Sequence, residues 1–166
     1  MYKIKIVVMG VSGCGKSTIA EKMAEYFGFP YFDGDDYHPD KNIEKMRNGI
    51  PLNDEDRSSW LSTLSYLIHE NDTLVLACSA ITPAYRNQLS AGNSDVKFVY
   101  LKGAIDLIWS RLKNREDHYF AGKDMLKSQF EVLVEPSMDE AISVDIDQPI
   151  ENIVKTAVRK LKALDL

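Results

Sequence analysis

One segment limits the possible folds of this chain more than any other: MGVSGCGKST, residues 9–18. It has the spacing G-x-x-x-x-G-K-[S/T] and follows IKIVVM (4–9), an apolar run with the length of a buried strand. After it, Ser17 to Phe27 has helical periodicity and is closed by Gly28. A strand, a glycine-rich loop and a helix in this order are the context of a phosphate-binding loop. The segment therefore predicts nucleoside triphosphate binding; a glycine-rich turn followed by a chance Lys-Ser pair is the alternative.

Each part of this loop has a physical purpose. Glycines let the backbone turn its N–H groups towards phosphate oxygens, and the N-terminus of the helix adds partial positive charge. Lys16 is expected to reach the β and γ oxygens as a catalytic residue, and the Ser17 hydroxyl is expected to ligate Mg²⁺. The nucleotide-binding residues predicted in the loop are Gly10, Val11, Ser12, Gly13, Cys14, Gly15, Lys16, Ser17 and Thr18.

Cys14 lies in the middle of the loop and permits two interpretations. A thiol beside a helix N-terminus should have a lowered pKa and be reactive. The simpler interpretation is that this position supplies a backbone N–H and tolerates any small side chain. The other cysteine, Cys78, is far away in the sequence, and neither is part of a CxxC or a histidine-rich segment. We therefore predict two reduced thiols, with no disulfide framework and no zinc site.

The rest of the chain alternates apolar runs of strand length with amphipathic stretches of helix length, which indicates a parallel sheet with crossover helices. The predicted strands are 4–9, 29–33, 73–79, 96–102 and 142–147. The predicted helices are 17–27, 43–48, 54–70 with Asn53 as N-cap, a short one opening at Thr82-Pro83, 104–115, one beginning near 125, and one beginning near Pro149. The 166 residues fit one α/β domain, 1–166, of the P-loop NTPase type.

Charge and hydropathy exclude several classes of partner. The formal net charge of −5 argues against a general nucleic-acid or anionic-membrane surface, because either would call for a basic face. The apolar run at 4–9 is too short for a signal peptide or a membrane span. We expect a cytoplasmic protein whose anionic ligands are held by local positive groups.

Magnesium needs a carboxylate in addition to the Ser17 hydroxyl. Many phosphate-loop enzymes carry an aspartate at the end of a hydrophobic strand, but TLVLACSA (73–80) ends without an acid. The candidate source is Asp33-Gly34-Asp35-Asp36, directly after the second strand. One carboxylate can orient magnesium and a neighbouring one can accept a proton from an attacking hydroxyl. We place Asp33 at magnesium and Asp35 at the hydroxyl, ahead of Asp36, and the reverse division of these two roles between Asp33 and Asp35 stays open. An acidic turn that only caps a strand is the alternative.

Two arginines precede a polar interruption, EDHYFAGKD, residues 116–124. Arg111 and Arg115 are four residues apart and therefore lie on one face of the predicted helix. Phosphoryl transfer needs cations near the moving group and needs water excluded, so 116–124 is predicted to be a lid, with Arg111 at the nucleotide and Arg115 catalytic. The alternative is a solvated helix end where arginines favour the dipole.

Several segments together resemble a known family. They are GVSGCGKS, DGDDYHPDKNIEKMRNGIPLNDEDR, CSAI followed by AYR, RLKNREDHYF, QFEVLVEP and DIDQP. In these the chain is similar to the gluconokinases of the small phosphate-loop type, relatives of shikimate and adenylate kinases. The resemblance covers roughly residues 4–160, and the spacing HP-x-x-NI-x-KM-x-x-G-x-PL-x-D-x-D-R carries most of its specificity.

The resemblance implies a fold and an activity. The fold is a five-stranded parallel sheet with helices on both faces, a small substrate-binding segment (34–70) and a mobile lid, and the assembly is usually a homodimer. The activity is phosphorylation of D-gluconate at its 6-hydroxyl, with ATP and Mg²⁺ as cofactors. This chain departs from the family at Ile81-Thr82-Pro83, where a Leu-Lys-x run is common.

The resemblance also implies substrate-binding residues. Asp35 would lie beside the accepting hydroxyl, and His38, Lys45, Arg57 and Arg86 fall on motif positions suited to the sugar acid. Arg57 makes independent sense, because a planar guanidinium binds a carboxylate bidentately.

Structural roles remain open for each of these side chains. Arg57 could form an ion pair with Asp54 or Asp56, His38 a turn contact, and Lys45 and Arg86 solvated helix surfaces. In DIDQP, residues 145–149, the segment of Gln148 would border the adenine through backbone atoms.

Two other functions compete with gluconate phosphorylation. One is phosphorylation of another small acceptor by the same fold, such as shikimate or a related sugar acid. The other is nucleotide binding without catalysis, against which the joint presence of Lys16, Ser17, Asp35 and the lid arginines argues.

Overall fold

Five parallel strands form one sheet in the structure, a computed structural model that describes residues 3–93, 95–112 and 122–164. The strands are β1 (Ile4–Met9), β2 (Tyr31–Asp33), β3 (Thr73–Ala77), β4 (Val96–Lys102) and β5 (Ala141–Asp145). Their spatial order is β2-β3-β1-β4-β5, and every pairing is parallel. The parallel five-stranded sheet expected from the sequence is confirmed.

Seven helices complete the described part of the chain. They are α1 (Lys16–Phe27), α2 (Asp40–Arg47), α3 (Asp54–Glu70), α4 (Pro83–Ser90), α5 (Ile105–Leu112), α6 (Gly122–Val132) and α7 (Ile150–Lys162), and a single 3₁₀ turn, Gly34–Tyr37, follows β2. Within those described ranges, no helix combines the length and the apolar character needed to cross a membrane.

The helix boundaries follow local signals. α3 begins where predicted, because Asn53 and Asp56 form a reciprocal capping box, and Thr82 caps α4 with Pro83 at its first position. α2 begins at Asp40, three residues before the predicted start, directly after Pro39 as N-cap. The predicted strand 29–33 is shorter, since only its last three residues pair with β3.

β1 is the centre of the core. All six of its residues are buried, between β3 on one side and β4 on the other. A parallel strand buried on both of its faces requires helices above and below it, which explains why five of its six side chains are apolar. The sixth, Lys5, is buried as well, and its Nζ donates to Asn93 Oδ1 at 3.2 Å.

The topology brings two loops to one edge of the sheet. Asp33 at the end of β2 is level with Ala77 of β3, which is in turn level with Val8 near the end of β1. The chain leaves β1 towards β2 and leaves β4 towards β5, in opposite directions from two neighbouring strands. Such a switch point opens a crevice at the carboxyl edge of the sheet, where ligands of α/β folds bind.

Candidate active site

The loop between β1 and α1 leaves backbone donors free at the helix N-terminus. Gly15 is the N-cap of α1 with φ of 91°, a conformation that glycine adopts without strain, and no side chain caps the helix. The first N–H groups of α1 therefore point at the loop without a capping acceptor, which is the arrangement that binds phosphate. Lys16 lines a cavity beside this helix end.

Asp33 connects the end of β2 to this loop. The Ser17 hydroxyl donates to Asp33 Oδ2 at 2.9 Å, and the backbone N–H of Asp35 donates to Asp33 Oδ1 at 2.9 Å. The Tyr31 hydroxyl also donates to Oδ2, at 3.3 Å. The Asp33 carboxylate thus lies against the Ser17 hydroxyl, which the loop motif predicts to be a magnesium ligand.

These oxygens fit Mg²⁺ delivered with a nucleotide. Magnesium keeps several waters and takes one or two protein oxygens together with substrate phosphates, so a hydroxyl and one carboxylate suffice. No group of three or more His, Cys, Asp or Glu among the residues that the structure describes could hold a metal by itself. The donor set of Ser17 and Asp33 therefore fits a metal shared with phosphates better than a separate protein cage.

The cavity beside Lys16 is lined from three directions. The 3₁₀ turn contributes Asp35, the following residues contribute His38, and α3 contributes Arg57 and Trp60. Asp36 is not among its lining residues, and its pKa is raised by burial and by the neighbouring carboxylates of Asp33 and Asp35. Of the acids in the turn, Asp35 is the one that the structure places in the cavity.

His38 is held as a neutral ring at the cavity wall. Its imidazole stacks on the Trp60 indole, with ring centroids 4.1 Å apart, and Trp60 Nε1 donates to the carbonyl of Gly34 at 2.7 Å. Burial, and secondarily the positive charge of Arg57, lowers the pKa of His38 to about 4. Its Nε2 lies 4.0 Å from Asp35 Oδ1, so at neutral pH the two form a polar contact without an ion pair.

Arg57 reaches the cavity from the first turn of α3. Its Nη1 donates to the Tyr85 hydroxyl at 2.9 Å, and that hydroxyl donates to Asp54 Oδ1 at 2.9 Å. The guanidinium also lies over the Tyr85 ring, 5.3 Å from its centroid. Asp54 therefore contacts Arg57 through Tyr85, and the structural alternative of a direct ion pair with Asp54 or Asp56 is not formed.

Lys45 does not face the cavity. Its Nζ donates to Asp56 Oδ2 at 2.6 Å, and this hydrogen bond, together with the N–H of Asn53, lowers the pKa of Asp56. Asp56 is the acidic member of the capping box of α3. The structure thus gives Lys45 a role at the start of α3, and its contact with the sugar acid stays a prediction.

Arg86 is also held by contacts within the protein. Its side chain is 1% exposed, with Nε donating to Glu140 Oε1 at 2.6 Å and the other nitrogens to the carbonyls of Ala80 and Val134 at 2.9 and 3.0 Å. All three nitrogens of the guanidinium are therefore occupied within the protein. Burial contradicts the alternative of a surface residue, and Arg86 ties α4 to the segment before β5, while its contact with the sugar acid stays a prediction.

The side chain of Cys14, in the phosphate loop, is buried. Its Sγ lies so close to Gly10 that a Cβ on that glycine would come within 2.6 Å of it. Burial raises the pKa of the Cys14 thiol, although Lys16 and local backbone N–H groups act to lower it. The predicted lowering of the pKa was wrong, because desolvation outweighs the nearby positive charge. Cys14 and Cys78 are both free thiols.

The nucleotide side of the site is described only in part. Arg111 Nη2 donates to the carbonyl of Ile146 at 2.9 Å, which ties α5 to the loop after β5. In that loop Gln148 is bonded to the carbonyl of Asp145, so its side chain is satisfied locally. Arg115 and residues 116–121 of the predicted lid lie outside the described residues.

The sequence interpretation gave no site role to two residues that line the cavity, Gln129 and Trp60, or to Tyr85, which contacts Arg57. Gln129 of α6 is buried, and its Oε1 accepts a hydrogen bond from the backbone N–H of Ser12 at 2.8 Å. Trp60 lies in the predicted helix 54–70, Tyr85 in the AYR motif and Gln129 in QFEVLVEP. Nothing in a single sequence shows that these side chains face the cavity or Arg57.

Comparison with known proteins places this geometry in a family. The sequence model of the shikimate kinase family matches residues 12–162. The thermoresistant gluconokinase of Escherichia coli K12 is 45% identical over 162 residues, covering 94% of this chain and 92% of that protein. The chain belongs to the gluconokinases. A further gluconokinase supports this: the thermosensitive one of the same strain is 40% identical, with 95% of this chain and 87% of that protein covered.

A solved gluconokinase has the same fold. The crystal structure of a gluconokinase from Sinorhizobium meliloti 1021 superposes with a TM-score of 0.91 at 38% identity, covering 98% of this chain and 94% of that one. The family predicted from the resemblance over roughly residues 4–160 is confirmed, and with it the assignment of the chain as a kinase.

Proposed function

We propose that this gluconokinase transfers the γ-phosphoryl group of ATP to the 6-hydroxyl of D-gluconate, giving 6-phospho-D-gluconate and ADP. One observation carries the proposal. A single cavity is lined by Lys16 of the phosphate loop, by the carboxylate of Asp35 and by the guanidinium of Arg57. A phosphate-binding cation, a proton acceptor and a carboxylate-binding group therefore share one space.

The phosphate loop and Asp33 form the donor side. The free N–H groups at the start of α1 and the Lys16 ammonium hold the phosphates, and Ser17 with Asp33 would hold the magnesium. When bound, magnesium offsets the charge on the phosphate oxygens. Arg111 and the segment of Gln148 border the nucleotide, and Arg115 is proposed to stabilise the transferred group.

Asp35 and Arg57 form the acceptor side. Asp35 accepts the proton of the 6-hydroxyl while the oxygen forms its bond to the γ-phosphorus, and the bond to the bridging oxygen of ADP breaks. Arg57 binds the carboxylate of gluconate through two parallel N–H···O bonds. The Tyr85 hydroxyl fixes one nitrogen of the guanidinium beforehand, which reduces the entropy lost on binding.

An ADP-release assay with a panel of acceptors tests the proposal. Gluconate is expected to give Mg²⁺-dependent turnover well above that of idonate, shikimate, glycerate or AMP. Turnover with shikimate alone would instead favour the activity named by the matching family model. Binding of ATP without turnover for any acceptor would favour a nucleotide-binding module.

The assembly and location are part of the same proposal. We propose a homodimer in the cytoplasm, as the family resemblance implies. The two free, buried thiols are consistent with a reducing compartment. Light scattering of the purified protein tests the dimer, for which a mass near twice 18.8 kDa is expected.

A further inference from the structure

Asn42 of α2 is completely buried beside the acceptor cavity, at 0% exposure, without lining it. Its Nδ2 lies 3.2 Å from His38 Nδ1 and donates to the backbone carbonyl of Asp56 at 2.9 Å. Its Oδ1 has no hydrogen-bond partner in the part of the chain that the structure describes. A buried acceptor without a donor costs free energy, so its presence calls for an explanation.

The carbonyl of Asp56 determines which way the Asn42 amide points. A backbone carbonyl can only accept, so the amide must present its NH₂ group to it. A flipped amide would place Oδ1 against that carbonyl oxygen and against His38 as well. The two hydrogens of Nδ2 are thus assigned, one to Asp56 and one to His38 Nδ1.

This orientation determines the tautomer of His38. A ring nitrogen that accepts a hydrogen bond carries no proton, and a neutral imidazole has one proton on its other nitrogen. Nδ1 accepts from Asn42, so Nε2 carries the hydrogen. Burial keeps the pKa of His38 near 4, and the ring is therefore neutral at physiological pH.

The Nε2–H group points to the place where the acceptor reacts. Nε2 lies 4.0 Å from Asp35 Oδ1, too far for a direct hydrogen bond but close enough for both groups to contact one oxygen between them. Stacking on Trp60 holds the plane of the ring, and the contact between Nδ1 and Asn42 Nδ2 orients the ring within that plane.

We propose that Asn42 is a positioning residue that holds His38 as the Nε2–H tautomer, so that His38 donates a hydrogen bond to an acceptor oxygen beside Asp35. This inference deepens the proposed function and rests on it for the identity of the acceptor. It assigns His38 as a donor and leaves proton acceptance to Asp35.

Nitrogen-15 NMR of the imidazoles tests the tautomer without any assay of activity. The chain has three histidines, and the signals lost in a His38→Gln variant identify His38. At pH 7 the wild-type protein is expected to show a protonated Nε2 and an unprotonated Nδ1. In Asn42→Asp, which places an acceptor at Nδ1, the proton is expected to move to Nδ1. A protonated Nδ1 in the wild type, or an unchanged tautomer in Asn42→Asp, would overturn the proposal.

A pair of His38 variants tests the donor itself. The amide nitrogen of glutamine can replace Nε2, whereas that of asparagine is too short and replaces Nδ1. His38→Gln is expected to keep a KM for gluconate several-fold below that of His38→Asn, with KM for ATP equal in both; equal or reversed gluconate KM values would contradict the donor role.

Asn42→Asp is expected to raise the gluconate KM about tenfold, because the hydrogen bond from His38 to the acceptor is lost. The ATP KM is expected to stay near the wild-type value. Asn71→Asp is the matched control, because Asn71 donates to a backbone carbonyl, that of Leu67, at the far end of α3. A gluconate KM unchanged in Asn42→Asp, or raised equally in the control, would refute the positioning role. Failure of the proposed function would be seen separately, as absence of gluconate turnover in the wild-type enzyme, and the NMR result would still decide the tautomer.

Discussion

The hydroxyl of Ser17 donates to the carboxylate of Asp33 across 2.9 Å, joining the first turn of α1 to the end of β2. The contact links a residue of the phosphate loop to an acid sixteen positions later. It places a carboxylate beside the hydroxyl proposed to ligate magnesium, although β3 ends in Ala77 without an acid.

Replacement of Asp33 by asparagine should weaken magnesium binding. We expect Asp33→Asn to raise the Mg²⁺ concentration for half-maximal activity about 10–100-fold, since an outer ligand of that importance is lost. Asparagine can still cap the 3₁₀ turn, so the fold should persist. Magnesium titrations of activity measure the effect. Tyr31→Phe, which removes the other hydroxyl on the same carboxylate, is the control; an equal loss there would assign the effect to packing.

Asp35→Asn should remove the proton acceptor. We expect kcat to fall about 10²–10⁴-fold, the usual contribution of a general base, with little change in the Kd for ATP. Steady-state kinetics and calorimetric ATP binding measure the two quantities. Asp36→Asn is the matched control in the neighbouring position, and a wild-type kcat in Asp35→Asn would remove Asp35 from the mechanism.

Arg57 should act on the acceptor alone. Arg57→Ala is expected to raise the KM for gluconate about 10–100-fold through loss of charged hydrogen bonds, while the KM for ATP is unchanged. Arg57→Lys should recover only part of this affinity, because an ammonium group cannot bind a carboxylate bidentately. If Tyr85→Phe alone raised the gluconate KM as much as Arg57→Ala does, Arg57 would act through its contact with Tyr85 and not by binding the carboxylate.

Cys14 should be unreactive in the folded enzyme. Because burial raises the pKa of its thiol, little thiolate is present at pH 7.5 and alkylation by iodoacetamide should be slow. Mass spectrometry of labelled peptides, with urea-unfolded protein as reference, measures the rate. We expect Cys14→Ser to retain activity; rapid labelling that ATP prevents would restore the interpretation of a reactive thiol.

Arg86 should stabilise the fold and not the substrate complex. Arg86→Met is expected to lower the free energy of unfolding by about 3 kcal/mol, since it leaves Glu140 and two carbonyls without their donor. Urea denaturation measures it. Lys102→Met, which breaks an exposed pair with Glu135, should cost less than about 1 kcal/mol. A stable Arg86→Met variant with a raised gluconate KM would support the substrate contact.

Local signals predicted the elements of this fold well because caps, glycines and periodic apolar residues act over a few positions. The Asn53 cap and the Thr82-Pro83 start are such cases. The meeting of Ser17 and Asp33 was predictable too, because both follow strands whose carboxyl ends share one edge of the sheet.

The roles of individual charged side chains were less predictable. The position of Arg86 in a motif does not reveal that Glu140, 54 residues later, occupies its guanidinium. Lys45 likewise meets Asp56 only after α2 and α3 have packed. For Cys14 the sequence indicated the positive surroundings of the loop, and only the fold shows that the thiol is buried and that burial has the larger effect on its pKa.

Trp60 and Arg57 lie one turn apart on α3, and Trp60 holds the carbonyl of Gly34, the residue before Asp35. Arg57, proposed to bind the carboxylate, and the residue before Asp35, the proposed proton acceptor, are therefore both tied to one helix. With these proposed roles, we expect acceptors to be selected by the length of their carbon chain, and we expect Trp60 to influence that selection through its bond to Gly34.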